Sequence, residues 1–184
     1  MSRFQPLDET ELHRGPVVST YNLRVRTPDG TEIDRQVVRH PGAVAVVPLL
    51  ADGETVVLVR QYRAALDIDL LEVPAGKLDV RNEDLTVAAQ RELVEEIGQR
   101  AGRFELLAHF LNSPGFTDER SWVFLARDLT ETDHDRQGPE EEAMSIEHVR
   151  LDDLDDLMAA GELIDGKSVI GLLVARERLR AEAG

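Results

Sequence analysis

Arg91-Glu92-Leu93-Val94-Glu95-Glu96-Ile97-Gly98 is the stretch around which the rest of the chain arranges itself. Leu85, Ala89, Leu93 and Ile97 recur every four residues between Asp84 and Ile97, an apolar stripe that predicts a helix with those side chains turned to the core. Gly98 supplies the C-terminal stop. On this helix Glu92, Glu95 and Glu96 stand at i, i+3 and i+4, so three carboxylates share one face. Like charges at that spacing repel by about a few tenths of a kcal/mol per pair, and a hard divalent cation is a natural counter-charge. A glutamate-rich helix face is usually only solvated surface, so the neighbouring residues have to decide.

Upstream, the valine-rich segments 43–50 and 55–62 predict a well-buried strand pair joined by Ala51-Asp52-Gly53-Glu54. Before them a polar start leads to a hairpin of strands 17–26 and 31–39, turned by Pro28-Asp29-Gly30. Leu70-Leu71-Glu72-Val73-Pro74 leads into a loop at 75–79, where proline and glycine interrupt regular structure. Downstream, 104–111, 121–126 and 145–150 predict strands, and 152–160 and 168–181 predict helices. The polar, mostly acidic run 131–142 predicts a loop.

At 184 residues the chain can bury a real core without staples. It has no cysteine, which excludes disulfides and thiolate zinc sites and makes a reducing cytoplasm the simplest compartment. The first residues lack an apolar signal core, and no run approaches the roughly 20 apolar residues that span a bilayer. Acidic residues outnumber basic ones 36 to 21, and a net charge of -15 argues against nucleic acid as partner. A small phosphorylated substrate stays compatible, because arginines and divalent cations can reverse the field inside one pocket.

Gly76, Glu83 and Arg91-Glu92-Leu93-x-Glu95-Glu96-x-Gly98 together resemble the Nudix box, Gly-x5-Glu-x7-Arg-Glu-U-x-Glu-Glu-x-Gly-U with U apolar. Two departures occur: six residues, 77–82, follow Gly76 where the pattern has five, and Gln99 replaces the final apolar residue. The resemblance implies an α/β (α+β) Nudix fold, a mixed β-sheet sandwiched between helices, with an N-terminal β-hairpin extension over residues 1–41 and the catalytic domain over 42–184. It implies magnesium, with manganese as substitute, held by Glu92 and Glu96, by Glu95 and by the backbone carbonyl of Ala75. Arg91 would hold the carboxylates in place through Glu83.

Ser113-Pro114-Gly115-Phe116-Thr117-Asp118-Glu119, with Pro114 sixteen positions after Gly98, is similar to the branch of this family that cleaves ADP-ribose, as are Gln61-Tyr62-Arg63 and Leu71-Glu72-Val73-Pro74-Ala75-Gly76. In that branch Arg63 would contact the substrate diphosphate, and Gly76, Pro114, Gly115 and Glu119 would line its site. Hydrolysis would yield AMP and ribose 5-phosphate. The general base would come from the loop at 138–144, where Glu142 takes the position of the family's catalytic glutamate and Glu141 is one residue away. The N-terminal extension implies a homodimer, and Tyr21 there could stack on a base or pack across strands. His13, His40, His109, His134 and His148 show no metal-ligand spacing. The alternatives are another nucleoside diphosphate sugar, such as GDP-mannose, and a non-catalytic nucleotide-binding regulator. All three helix glutamates are present, which favours the enzyme.

Overall fold

The computed structural model describes residues 3–133 and 142–184. It divides into two compact units, one of residues up to Gly42 with Phe110–Arg120, the other of Ala43–His109 with the residues from Ser121 on.

The first unit is a three-stranded antiparallel sheet in the order β1 (Gln5–Arg14), β2 (Ser19–Arg26), β3 (Glu32–Arg39). Its second hairpin turns where Gly30 adopts φ 91° and Thr27 N donates to Thr31 O at 2.8 Å. β1 occupies the segment expected to be merely a polar start. It is exposed along almost its whole length, so no apolar alternation marks it, and backbone pairing with β2 is what makes it a strand. Cross-strand ion pairs such as Arg26–Glu32 at 2.8 Å line this sheet.

The second unit contains β4 (Ala43–Pro48), β5 (Thr55–Arg63), β6 (Ile68–Glu72), β7 (Ala75–Lys77), α1 (Leu85–Ile97), β8 (Gln99–Leu111), β9 (Arg120–Glu131), β10 (Ser145–Arg150), α2 (Leu154–Ala159) and α3 (Gly166–Ala183). β8 ends, and β9 begins, with residues of the first unit. A mixed sheet runs β7-β4-β9-β8, with β4 parallel to β9 and antiparallel to β7. A second sheet runs β10-β5-β6, antiparallel throughout.

α1 lays Ala88, Ala89, Leu93 and Ile97 on Val44 and Val46 of β4, Val57 and Val59 of β5, and Phe124 and Ala126 of β9. Alternation along a strand sends Val47 and Val123 to the opposite face, where α3 packs. The contact there is close enough that a Cβ on Gly171 would stand 2.7 Å from Val123 Cγ1 and 3.2 Å from Val47 Cγ2. The mixed sheet therefore lies between helices, as expected for the fold class. Gly171→Ala is expected to lower unfolding free energy by roughly 1–3 kcal/mol through overpacking, read from chemical denaturation; an unchanged midpoint would show that this face tolerates a methyl group.

α1 begins and ends close to the expected residues. Asp84 caps it, accepting from Thr86 N at 2.8 Å, and Gly98 closes it at φ 62°. Most other boundaries shift by two residues or fewer, and three differ by more or in kind. The loop at 75–79 opens with β7, because Ala75 and Gly76 pair with Ala45 and Val44. β8 starts at Gln99 rather than 104 and β9 continues to Glu131 rather than 126; each extension is mostly polar, with a single apolar residue, Ala101 or Leu129, packed against the core. Among the described residues no helix is long and apolar enough to cross a membrane.

Candidate active site

The glutamates of α1 are placed by their own apolar stripe. With Leu93 and Ala89 buried in the core, Glu92 and Glu96, one turn apart, are carried to the edge of the same face and are left only 5% and 3% exposed. β7 lies directly against them. Ala75 N donates to Glu96 Oε2 at 3.2 Å, and a Cβ on Gly76 would fall 1.9 Å from Glu92 Cδ and Oε1. Gly76 is thus required for close approach of a strand to a carboxylate rather than for an unusual φ. Pro74 helps fix the approach, its carbonyl accepting from Val46 N at 2.8 Å.

Arg91 joins the acidic set together. Its Nη1 donates to Glu92 Oε1 at 2.7 Å and to Glu95 Oε2 at 3.0 Å, while Nε and Nη2 reach the two oxygens of Glu83 at 3.4 Å. Burial opposes the charge on the guanidinium, but Glu83, Glu92 and Glu95 outweigh it and raise its pKa above the ordinary arginine value. The six residues between Gly76 and Glu83 end in a turn. Glu83 N donates to Val80 O at 3.2 Å, and Asn82 sits at φ 61°, a left-handed conformation that asparagine adopts more readily than most residues.

The donor set Glu92, Glu95, Glu96 and the Ala75 carbonyl is all oxygen, a composition that suits a hard divalent ion. Among the described residues no three carboxylate or imidazole side chains already converge as a ligand set. Arg91 Nη1 stands between one oxygen of Glu92 and one of Glu95, which fixes the orientation of both carboxylates.

Gly76→Ala follows from the same geometry. The atoms in its way are the far end of a flexible side chain, so Glu92 can swing aside with little loss of stability. The swing would move a carboxylate off the site, and roughly a tenfold or greater fall in turnover is expected with the thermal midpoint nearly kept. Parallel loss of midpoint and turnover would point to strand disruption instead.

Arg63 closes β5. It donates Nε to Glu72 Oε1 at 2.6 Å and Nη2 to Glu72 Oε2 at 2.7 Å. Glu72 is 1% exposed and also accepts from Lys167 Nζ. Burial pushes the Glu72 carboxyl up, but Arg63 and Lys167 more than offset this and hold it below its ordinary value. Sequence reasoning assigned no role to Glu72 or Lys167. The available signal was an acidic residue inside the apolar run Leu70-Leu71-Glu72-Val73, where a carboxylate is buried only if paired.

Glu142 is the first described residue after 141 and is exposed. Met144, two residues on, is buried in the α1 cluster, and β10 then pairs Ser145 with Arg60. Glu142 therefore enters from the end of β5 that carries Arg63. Glu141, the alternative base, lies outside the described residues, as does His134. Of the other histidines, His109 stacks on Trp122 with centroids 4.8 Å apart, and His40 Nδ1 accepts from Gly42 N at 3.0 Å.

Pro114, Gly115 and Glu119 belong to the first unit. There Phe116 N and Thr117 N both donate to Ser113 O, at 3.1 and 3.0 Å, and Glu119 N donates to Thr117 Oγ1 at 3.2 Å. Val38 N donates to Phe116 O at 2.7 Å, tying this turn to β3. Tyr21 donates to Glu11 Oε2 at 3.1 Å across the β1–β2 pair.

The family model described as the NUDIX domain matches residues 39–169, a span that contains the whole acidic helix and its β7 cover. The chain belongs to the Nudix family. An ADP-ribose pyrophosphatase of Bacillus subtilis is 35% identical over 174 residues, covering 94% of this chain and 93% of that protein. A methanol dehydrogenase activator of Bacillus methanolicus is 35% identical over 162 residues, covering 88% and 86%. The solved structure of an ADP compounds hydrolase superposes with a TM-score of 0.86 at 21% identity, over 97% of this chain and 95% of that one, and so shares the Nudix fold.

Proposed function

We propose that this Nudix protein hydrolyses the diphosphate bond of ADP-ribose to AMP and ribose 5-phosphate. The observation that carries the reading is the pair Glu92 and Glu96, buried under the Ala75–Gly76 backbone in a chain that is 35% identical, over nearly its full length, to a protein named ADP-ribose pyrophosphatase.

Magnesium is the proposed cofactor, with Glu92, Glu95, Glu96 and the Ala75 carbonyl as its ligands. When bound, it supplies Lewis-acid stabilisation of negative charge developing on the diphosphate. Arg91, through Glu83, keeps the carboxylates in register. Arg63 donates to non-bridging diphosphate oxygens. Glu142 accepts a proton from the attacking water as its oxygen bonds to one phosphorus and the bridging P–O bond breaks, leaving with the other phosphate. Pro114, Gly115 and Glu119 are proposed as substrate contacts on sequence grounds alone.

The protein is further proposed to work in the cytoplasm, apart from nucleic acid and membranes, as a homodimer whose N-terminal β extension, residues 1–41, meets a second copy. Exposed Phe4, Leu12, Val17 and Val18 in that extension support the last point. Sedimentation as a monomer at micromolar concentration would contradict it.

A second reading keeps the same bond but changes the substrate to another nucleoside diphosphate sugar such as GDP-mannose, because the acidic helix reads neither base nor sugar. Incubation with magnesium and ADP-ribose, ADP-glucose, GDP-mannose or nucleoside triphosphates, followed by identification of products, separates the two. Inertness toward every one of them would leave the regulator reading, which the relative named as an activator brings into view.

A further inference from the structure

Glu72 lies at the end of β6, too deep to be solvated, and a carboxylate at that depth persists only with partners of opposite charge. Its two cations differ in kind. Arg63 keeps 40% of its side chain exposed, whereas Lys167 keeps 14%. Both use Oε2, Arg63 through Nη2 and Lys167 through Nζ, and Lys167 also reaches Asp165 Oδ2 at 2.9 Å. Asp165 caps α3, accepting from Ser168 N at 3.0 Å, and Ser168 Oγ accepts from Val73 N at 2.9 Å. An alternating row of charges, Arg63, Glu72, Lys167, Asp165, therefore runs from the end of β5 to the first turn of α3, with its exposed end at Arg63.

A guanidinium is a rigid plane with its donors in a fixed fork. Because Nε and Nη2 of Arg63 are both turned to Glu72, the plane of the carboxylate sets the plane of the guanidinium, and Nη1 is on the edge turned away from Glu72. A carboxylate bound to Arg63 alone could turn with it. The second hold on Oε2, from a lysine anchored at a helix start, removes that freedom. We infer that Glu72 and Lys167 are positioning residues for Arg63, fixing the outward edge of its guanidinium for the oxygens of a nucleoside diphosphate. This rests on the hydrolase reading for the identity of the ligand, and it assigns to two residues of β6 and α3 the pre-organisation of a substrate contact on β5.

The alternative is that the row only ties α3 to β6. Calorimetric titration with ADP in the presence of magnesium, steady-state kinetics on ADP-ribose and thermal midpoints, measured on the full chain and on Lys167→Met, Lys167→Arg and Glu72→Gln, separate the two. Positioning predicts that Lys167→Met and Glu72→Gln weaken ADP binding and raise KM by roughly tenfold, the scale of one charge-assisted hydrogen bond lost in part, with kcat within about twofold. Lys167→Arg is expected to recover most of the affinity. A fall in thermal midpoint with ADP affinity and KM unchanged in both variants would overturn the inference. Should Lys167→Met fail to fold, Glu72→Gln decides, and unchanged ADP affinity and KM in that variant would overturn the inference. Failure of the wild-type chain to cleave ADP-ribose would strike the hydrolase reading alone, since ADP affinity still tests the positioning.

Discussion

Glu96→Gln is expected to reduce turnover by roughly 10²–10⁴-fold, the rate equivalent of the several kcal/mol of charge stabilisation that a divalent ion supplies. The substitution keeps the side chain's size and leaves Oε1 able to accept from Ala75 N, the backbone contact now made at 3.2 Å. It removes one of two nearly buried negative charges placed a turn apart on α1. The metal-free protein should therefore keep its thermal midpoint or gain slightly, since like-charge repulsion is relieved. Manganese titration should show weakened binding. Undiminished turnover in Glu96→Gln would contradict the ligand assignment.

Glu142→Gln should also cut turnover, by roughly 10²–10⁴-fold, the usual contribution of a positioned general base, but with manganese affinity largely unchanged. Glu142 is exposed and lies outside the α1 cluster, so its loss should not disturb the core or the ligand carboxylates. The two variants thus separate along one axis, metal affinity, although both are slow. If Glu142→Gln turns over like the wild type, the base is another residue, with Glu141 the first to substitute.

The acidic helix was legible because every signal for it is local. A four-residue apolar period and Gly98 as a C-terminal stop are properties of adjacent residues, and the structure keeps both, adding Asp84 as the N-terminal cap. The valine-rich strands β4 and β5 were legible for a related reason, since both are buried on two faces and carry continuous apolar runs. β1 was not, and neither was β7. An exposed strand and a three-residue strand have no pattern of their own, and each exists because a neighbour offers backbone hydrogen bonds.

The site divides along the same line. Spacing along the chain by itself determined that Glu92, Glu95 and Glu96 share a helix face beside Arg91, because the rise and turn of an α-helix convert separation in sequence into position in space. It also carried the resemblance from which the family was recognised. Only the tertiary structure decided that Gly76 presses on Glu92, that Asn82 takes a left-handed turn before Glu83, and that Arg63 is held through Glu72, itself held by a lysine 95 positions beyond Glu72. These contacts join β5, β6, β7, α1 and α3, and no periodicity records them, because packing between distant segments is set by the shape and charge of both partners at once.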